Sequence, residues 1–594
     1  MRSYISISVL LAALATGVSS HLLGARYPGP VDISCNDSLI VSAWQNITNS
    51  FDTYLHGNRS STPKLLNGLE NVTFSAGLFS IHDAVAASSF QYHYTSDEVR
   101  TGAGIDEVNG DSIYRVASVS KLFTVLASQI AFKNGEWDRP ITDFVAGLAQ
   151  ADLDAVGNDP VRNVLWKDIT LRSLASQISG VARAAQPWIS DLSLTLPDPE
   201  ASGLPPLNVA DPLVKVPCFT MEFLTDPVAA CPPELYLEGT LSRPPVVQSW
   251  QTPVYSNNGF LLLGIALANI TGKPIAQVYP DLIFGPLGMN NSMSIPPPQS
   301  EWSRSVIPGE DASQWAIPGG LSVSSGGIFS SLNDLAKFST AIMNSTLLPK
   351  NKTREWMHPT SHTANLRQAV GAPWEIYRYV HANTEAVTDI YTKLGDSGNF
   401  TSFVVLVPDY EAGFNIITAS SDTALRSPLA LTIADIITSH IIPAMETQAA
   451  AEATRNFAGT YKASDETLNS SLTLTFNDTS SDPGIYITQW TSNGTDMMPL
   501  IPSLLGAASV KLQPTITRPG EVAFRAMPAK MEYPPGTFLG PFLEMMTVNF
   551  DWLATDGLTY GGAGTGQFVF NVGDDGRATA VEPIFLRASL ERVE

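Results

Sequence analysis

The sequence predicts an α+β chain of more than one domain, a mixed helix-and-strand region followed by a small antiparallel β domain. Three observations lead there. At 594 residues the chain exceeds what one hydrophobic core organises, which implies two or more domains. From about 76 to 445, apolar residues at helical spacing alternate with short β-rich runs, the texture of helices packed on a sheet. Beyond 446, period-two alternation separated by Gly, Pro and Asn takes over, which reads as strands and turns.

The first 20 residues carry Arg2, an apolar run over 5–15 and the small residues Val18-Ser19-Ser20. This is the layout of a secretory leader, too short to span a bilayer, so export is expected. Residues 21–75, rich in Ser, Asn and Pro, read as a surface-wrapping N-terminal extension. Asn-x-Ser/Thr sequons begin at Asn36, Asn46, Asn58, Asn71, Asn269, Asn290, Asn344, Asn351, Asn469, Asn477 and Asn493. Behind a leader they predict a secreted glycoprotein. Asn399 also heads a sequon, but it lies beside the candidate site described below and is expected to stay unmodified.

Within 76–445, the stretch 186–250 is broken by Pro197, Pro199, Pro205-Pro206, Pro232-Pro233 and Pro244-Pro245. Prolines at that density forbid long helices and central strands, so an extended insertion or lid is expected there, shaping a substrate pocket. It contains Cys218 and Cys231, two of the three cysteines. Their closeness predicts a disulfide worth on the order of 3 kcal/mol in the chain-entropy model, with Cys35 left over. The apolar segments 260–270 and 429–445 read as buried helices. The first is short and the second is interrupted by Asp435 and His440, so no membrane span is expected.

Residues 446–454 read as a linker or short helix that opens a 446–594 β domain. In it Ser471-Leu472-Thr473-Leu474-Thr475-Phe476 alternates strictly, and the runs at 485–487, 522–524 and 567–570 are of similar character. The glycines at 561–566 lack the following lysine of a phosphate loop and read as a turn.

Composition narrows the function. A net charge of -22 leaves no excess of cations to neutralise phosphates, so nucleic acid is not an expected partner. The eight histidines are scattered without a His-Glu-x-x-His pair, so neither a metal nor another cofactor is expected. No Gly-x-Ser-x-Gly elbow occurs, which removes the signature of an α/β-hydrolase.

The strongest local signal is Ser118-Val119-Ser120-Lys121, followed by Leu122, Val125, Leu126 and Ile130 at helical spacing. Three positions apart, Ser118 and Lys121 share one helix face. A lysine buried near another cation gives up its proton more readily than one in water and can accept the serine proton. Backbone N–H groups at the helix start can hold an oxyanion. The same pattern also describes an N-cap serine ahead of an amphipathic helix with a solvent-facing lysine. Tyr255-Ser256-Asn257 offers a phenol for proton relay and a carboxamide for a carbonyl, or a turn before the helix at 260. Lys393-Leu394-Gly395-Asp396 reads as an edge-strand lysine beside a glycine that admits substrate, or as a hairpin with an exposed lysine.

Ser-x-x-Lys, Tyr-x-Asn and Lys-x-Gly in this order resemble the active-site motifs of class C β-lactamases and related penicillin-recognising peptidases, esterases and fungal acyltransferases. The segments Ile169-Thr170-Leu171-Arg172-Ser173-Leu174-Ala175-Ser176-Gln177-Ile178-Ser179-Gly180, Phe284-Gly285-Pro286-Leu287-Gly288-Met289 and Gly326-Gly327-Ile328-Phe329-Ser330-Ser331-Leu332-Asn333-Asp334-Leu335 are similar to the family's as well. The resemblance covers roughly 76–445. It implies the transpeptidase fold of β-lactamases and penicillin-binding proteins, an antiparallel sheet flanked by helices beside a helical lobe. By motif it implies Ser118 as nucleophile, Lys121 and Tyr255 in proton transfer, and Asn257 against the acyl group. Lys393 would favour anionic groups, and the N–H groups of Ser118 and Asp396 would form the oxyanion hole. The Phe457-Ala458-Gly459-Thr460-Tyr461 start of the C-terminal region slightly resembles β-barrel modules appended to some family members.

The resemblance breaks at Leu394, where penicillin-binding relatives usually carry Thr. Leucine cannot supply that hydroxyl's hydrogen bond, which favours esterase or peptidase action over β-lactamase action. The expected function is thus a secreted serine hydrolase with a small-molecule ester, amide or peptide as its partner. Acyl transfer to a natural product through the same acyl-enzyme, and a non-catalytic binding protein on this fold, are the alternatives.

Overall fold

The computed structural model describes residues 24–57, 64–133, 135–154, 159–185, 192, 196–208, 233–382, 386–478, 482–501, 510–527, 537–538, 540–543 and 555–593. The expected leader, Asn58 and the two cysteines of the expected disulfide, Cys218 and Cys231, lie outside them, and Cys35 is exposed. The chain forms two compact units. One comprises Asp32–Arg378 and Asp389–Ile442; the other comprises Tyr379–Thr388, Pro443–Glu594 and the described residues before Asp32.

The first unit holds the helices α1 (Leu39–His56), α2 (Ser120–Ala131), α3 (Pro233–Leu241), α4 (Asn257–Thr271) and α5 (Leu332–Met343). Its sheet is built from β1 (Thr73–Ser80), β2 (Gln91–Tyr94), β3 (Ser361–His362), β4 (Gln368–Val370), β5 (Glu375–Val380), β6 (Val387–Ser397), β7 (Phe400–Val407) and β8 (Ala412–Ala419). The strand order is β2-β1-β8-β7-β6-β5-β4-β3. Strands β1, β7 and β8 are almost wholly buried along their length, as expected of a sheet covered on both faces. α2, rooted by buried Leu122, Phe123, Val125 and Leu126, packs in a separate helical layer with α4.

Several expectations need correction. The region read as a surface extension supplies α1, whose Ile40, Trp44, Ile47, Phe51 and Tyr54 are buried. That spacing is an amphipathic stripe, and Phe51 meets Phe74 of β1 edge-on at 5.6 Å. The lysine strand β6 is not an edge, because the short strands β5, β4 and β3 extend the sheet past it. The proline-rich insertion includes a nine-residue helix, α3, started by Pro233 at a position whose N–H has no helical partner in any case. Its Tyr236 hydroxyl donates to Asn258.

The expected linker at 446–454 is instead part of a continuous helix, α6 (Thr423–Phe457). Ala-rich sequence with Glu and Gln propagates helix rather than breaking it. By length and composition α6 could cross a membrane, but Leu429, Ile433, Ile437 and Ile441 form a buried stripe of the kind a core-facing helix carries.

In the second unit, β9 (Gly459–Ala463), β10 (Ser471–Asn477), β11 (Gly484–Ser492), β12 (Thr495–Asp496), β13 (Val510–Arg518), β14 (Glu521–Met527), β15 (Gln567–Val572), β16 (Ala578–Pro583) and β17 (Leu590–Arg592) make a nine-stranded sheet. Its order is β10-β9-β17-β16-β15-β14-β13-β11-β12, and β10 also pairs with β11. That pairing closes the sheet into a barrel, with β12 outside the ring. Alternate inward residues fill it: Leu472 and Leu474, Ile485 and Ile487, Phe568 and Phe570 are buried in one cluster with Trp490. Closure removes the exposed strand edges that an open sheet would present. Gly561 and Gly562 adopt positive φ of 56° and 82° in the turn between residues 560 and 563.

Candidate active site

Ser118 lies in a tight 3-10 turn, Ala117–Val119, just ahead of α2. Ala117 is held at φ 45°, a left-handed conformation that costs a non-glycine residue roughly 1 kcal/mol. The turn is pinned on both sides. Val116 N–H donates to Ile328 O at 3.0 Å, and the Ser120 hydroxyl donates to Ala117 O at 2.6 Å. Ser118 is left half-buried and accessible.

One turn into α2, Lys121 is fully buried, which removes the reading of a solvent-facing lysine. Its Nζ lies 2.9 Å from Ser118 Oγ, 2.8 Å from Asn257 Oδ1 and 2.5 Å from Ser325 O. Burial holds its pKa well below the ordinary lysine value. The Lys393 and Arg183 charges push the same way, while Glu375 opposes them. Desolvation penalises the ammonium and leaves the amine relatively favoured.

The Tyr255 hydroxyl donates to Ser118 Oγ at 2.7 Å. Ser256 caps α4, its Oγ accepting from Gly259 N–H at 2.9 Å, and so Asn257 enters the first helical turn aimed at Lys121. Gln177 anchors this segment, since its Oε1 accepts from Ser256 N–H at 2.7 Å and its carbonyl from Val254 N–H at 2.8 Å. Lys121, Lys393 and Arg183 stand 5.0, 5.2 and 5.3 Å from the Tyr255 ring centroid, all within cation–π range.

Strand β6 brings the third motif. Its register with β7 sets Lys393 opposite Val404, Gly395 opposite Ser402 and Asp396 opposite Thr401. A Cβ on Gly395 would fall 2.3 Å from Val116 O and 2.9 Å from Ser118 N. Only glycine lets the strand backbone come this close to the Ser118 turn. Asp396 is itself held from behind: its carboxylate accepts from Arg426 at 2.7 Å and Thr401 at 2.7 Å. Asn399, in the turn after β6, is half-buried.

The sequence reading missed three residues. Glu375 pairs with Lys393 at 2.5 Å and accepts from Leu394 N–H at 2.8 Å, so Lys393 is not the open anion receptor that the resemblance implied. Gln177, named only within a segment of family resemblance, and Arg426 were given no role in that reading. None of the three sits in a motif with a chemical signature of its own; each matters through partners distant in sequence.

The site therefore gathers Ser118, Lys121, Tyr255, Asn257, Lys393, Gly395 and Asp396 in one place. Known proteins bear on this arrangement. A family model described as "Beta-lactamase" matches residues 84–436, and one described as "Beta-lactamase-like-like, C-terminal domain" matches 449–594. A "Beta-lactamase-like protein" of Arthroderma benhamiae is 30% identical over 75% of this chain and 71% of its own length. "Probable hydrolase clz13" of Cochliobolus lunatus is 26% identical over 74% of this chain and 71% of its own. With the family model spanning the whole region that holds Ser118 and its neighbours, and 30% identity to a relative matched over 71% of its length, the chain belongs to the β-lactamase family.

Proposed function

We propose that the protein is a secreted serine hydrolase that takes an acyl group from an ester or amide onto Ser118 and then passes it to water. One observation carries the reading: Ser118 Oγ lies between the Lys121 amine at 2.9 Å and the Tyr255 hydroxyl at 2.7 Å. A neutral Lys121 has two N–H bonds, which Asn257 Oδ1 and Ser325 O accept, and its lone pair is then left for the Ser118 proton. As Ser118 Oγ attacks the carbonyl carbon, the proton moves to Lys121 and the carbonyl oxygen gains charge beside the Ser118 and Asp396 N–H groups. Tyr255 is placed to give a proton to the leaving oxygen or nitrogen and to be reprotonated from the Lys121 ammonium, which leaves Lys121 neutral again. Collapse expels the leaving group, and water then cleaves the acyl-serine by the same proton route.

Leu394 supports ester or peptide substrates over penicillins, as it has no hydroxyl for a substrate carboxylate. The family and the named hydrolases among its relatives support hydrolysis as the general chemistry. Export with glycosylation is part of the proposal. It rests on the leader sequence and on the exposure of Asn36, Asn46, Asn71, Asn269, Asn290, Asn344, Asn351, Asn469 and Asn493, while Asn477 is half-buried.

The test is early product release from 4-nitrophenyl esters by the mature protein and by Ser118→Ala. Turnover or a burst that disappears in the variant is the expected result. Equal rates from both proteins, across short and long acyl chains, would overturn the proposal.

A further inference from the structure

Near Ser118 the charges are unevenly exposed. Lys393 is 1% exposed while its partner Glu375 is 40% exposed, so the face that the ion pair turns to solvent is the carboxylate. Two of the three Lys393 N–H bonds are already taken, by Glu375 Oε1 at 2.5 Å and by Leu394 O at 2.6 Å. The next charge along β6 is again a carboxylate, Asp396 at 44% exposure, backed by an Arg426 that is only 2% exposed. Leu394, between them, offers a hydrocarbon side chain. Arg183 is the one exposed cation beside Tyr255 among the described residues.

We infer that Glu375 sets substrate specificity: by occupying Lys393 and presenting its own carboxylate, it makes this an acyl-transfer site for uncharged esters or amides and disfavours an anionic leaving group. The inference rests on the serine hydrolase reading above and names its substrate class. The physical basis is that a carboxylate entering the pocket meets like charge before it meets Lys393, and would have to displace a carboxylate already hydrogen-bonded to Lys393 and to Leu394 N–H. Like charges a few ångströms apart at a half-exposed site repel appreciably even after screening. An uncharged group loses nothing there and gains contact with Leu394.

The experiment uses two esters that differ by one carboxylate on the leaving phenol, phenyl butyrate and 3-carboxyphenyl butyrate. Both are assayed with the wild-type chain and with Glu375→Gln, and Ser118→Ala serves as the blank. Glu375→Gln removes the charge and keeps one acceptor oxygen, which can serve Lys393 or Leu394 N–H but not both as the two carboxylate oxygens do. The wild type is expected to favour the neutral ester by about tenfold or more in kcat/KM, and the variant to narrow that ratio by about tenfold. A wild type that turns over the anionic ester as well as the neutral one overturns the inference, and so does a folded variant with an unchanged ratio.

If the variant does not fold, the salt dependence of the wild type remains able to overturn the inference. Repulsion by Glu375 requires kcat/KM for the anionic ester to rise with ionic strength while that of the neutral ester stays flat. A fall with salt means that a cation such as Arg183 receives the carboxylate, and the inference fails. Should neither ester exceed the Ser118→Ala blank, the hydrolase reading itself is overturned and this inference goes with it.

Discussion

Lys121 Nζ donates to Asn257 Oδ1 at 2.8 Å, although the two residues are 136 positions apart in the chain. The bond ties the helix that follows Ser118 to the first turn of α4. It also fixes which way the Lys121 lone pair points once the amine is neutral. Two motifs that are each weak in isolation thereby meet in one hydrogen-bonded cluster, which in the proposed function is the device that moves the Ser118 proton.

That device has a pH signature. If neutral Lys121 takes the Ser118 proton, kcat/KM rises with pH through the Lys121 pKa and levels off above it. Burial, with Lys393 and Arg183 adding, sets that pKa well below the usual lysine value, and Glu375 raises it. Removing the Glu375 charge in Glu375→Gln stabilises the ammonium less, so the acid limb should move to lower pH. A pH–rate profile on a neutral ester measures this, and a limb that moves upward would contradict the assignment of Lys121 as base.

Gly395→Ala should damage both stability and rate. Its Cβ would fall 2.3 Å from Val116 O and 2.7 Å from Ser402 Oγ, and Ser402 Oγ already donates to Val116 O at 2.6 Å. Strand and nucleophile turn must separate, at about 1–3 kcal/mol, and the Asp396 N–H moves with the strand. A loss of about a hundredfold in kcat/KM is expected, the scale of one oxyanion donor. Urea unfolding beside ester kinetics reads both effects, and wild-type kinetics in the variant would refute the close approach.

Arg426 is buried and donates to Asp396 at 2.7 Å, Thr401 Oγ1 at 2.8 Å, Gly398 O at 2.7 Å and Ser420 O at 3.0 Å. Arg426→Met should cost about 2 kcal/mol, a figure kept modest because Asp396 is half-exposed. Burial raises the Asp396 pKa, but hydrogen bonds from Arg426, Thr401 and Ser427 outweigh it and leave the value lowered. A lowered carboxyl pKa contributes stability that is present above the unfolded value and lost as pH falls through the folded one. The stability gap between wild type and variant should therefore be full at neutral pH and shrink below about pH 4. A gap independent of pH would show that the charge on Asp396 is not what Arg426 serves.

Phe51→Ala tests the N-terminal helix. Phe51 is fully buried, with ring contacts to Phe74 at 5.6 Å and Tyr92 at 5.3 Å. Emptying that position should destabilise the sheet-bearing unit by about 3–5 kcal/mol. A change below about 1 kcal/mol in urea unfolding would mean that α1 is a detachable wrap after all.

The local chemistry of the site was legible in the sequence because each motif keeps its residues within one turn of helix or one stretch of strand. Ser118 and Lys121 share a face by helical geometry alone, and Gly395 follows Lys393 on one strand. The alternating residues of β10 likewise announced a strand of an antiparallel β domain, since period two is a property of the backbone; that the sheet closes into a barrel was not readable from it. Where the reading slipped, a nonlocal partner was responsible. Lys393 looked like an edge-strand lysine because nothing near it in sequence reveals that β5 lies alongside. The stretch 446–454 looked like a linker because its role as the end of α6 depends on the helix that precedes it.

What the sequence determined by itself is therefore the set of reactive groups, the family resemblance and the alternation of helix and strand. These follow from side-chain identity and from spacings of a few residues. Only the tertiary structure decided the charge that the site turns toward a substrate. Glu375 has no motif, and it matters because strand pairing sets its carboxylate 2.5 Å from Lys393. The sign of a local field depends on distances in space between groups that the chain keeps apart, and those distances do not exist until the chain has folded.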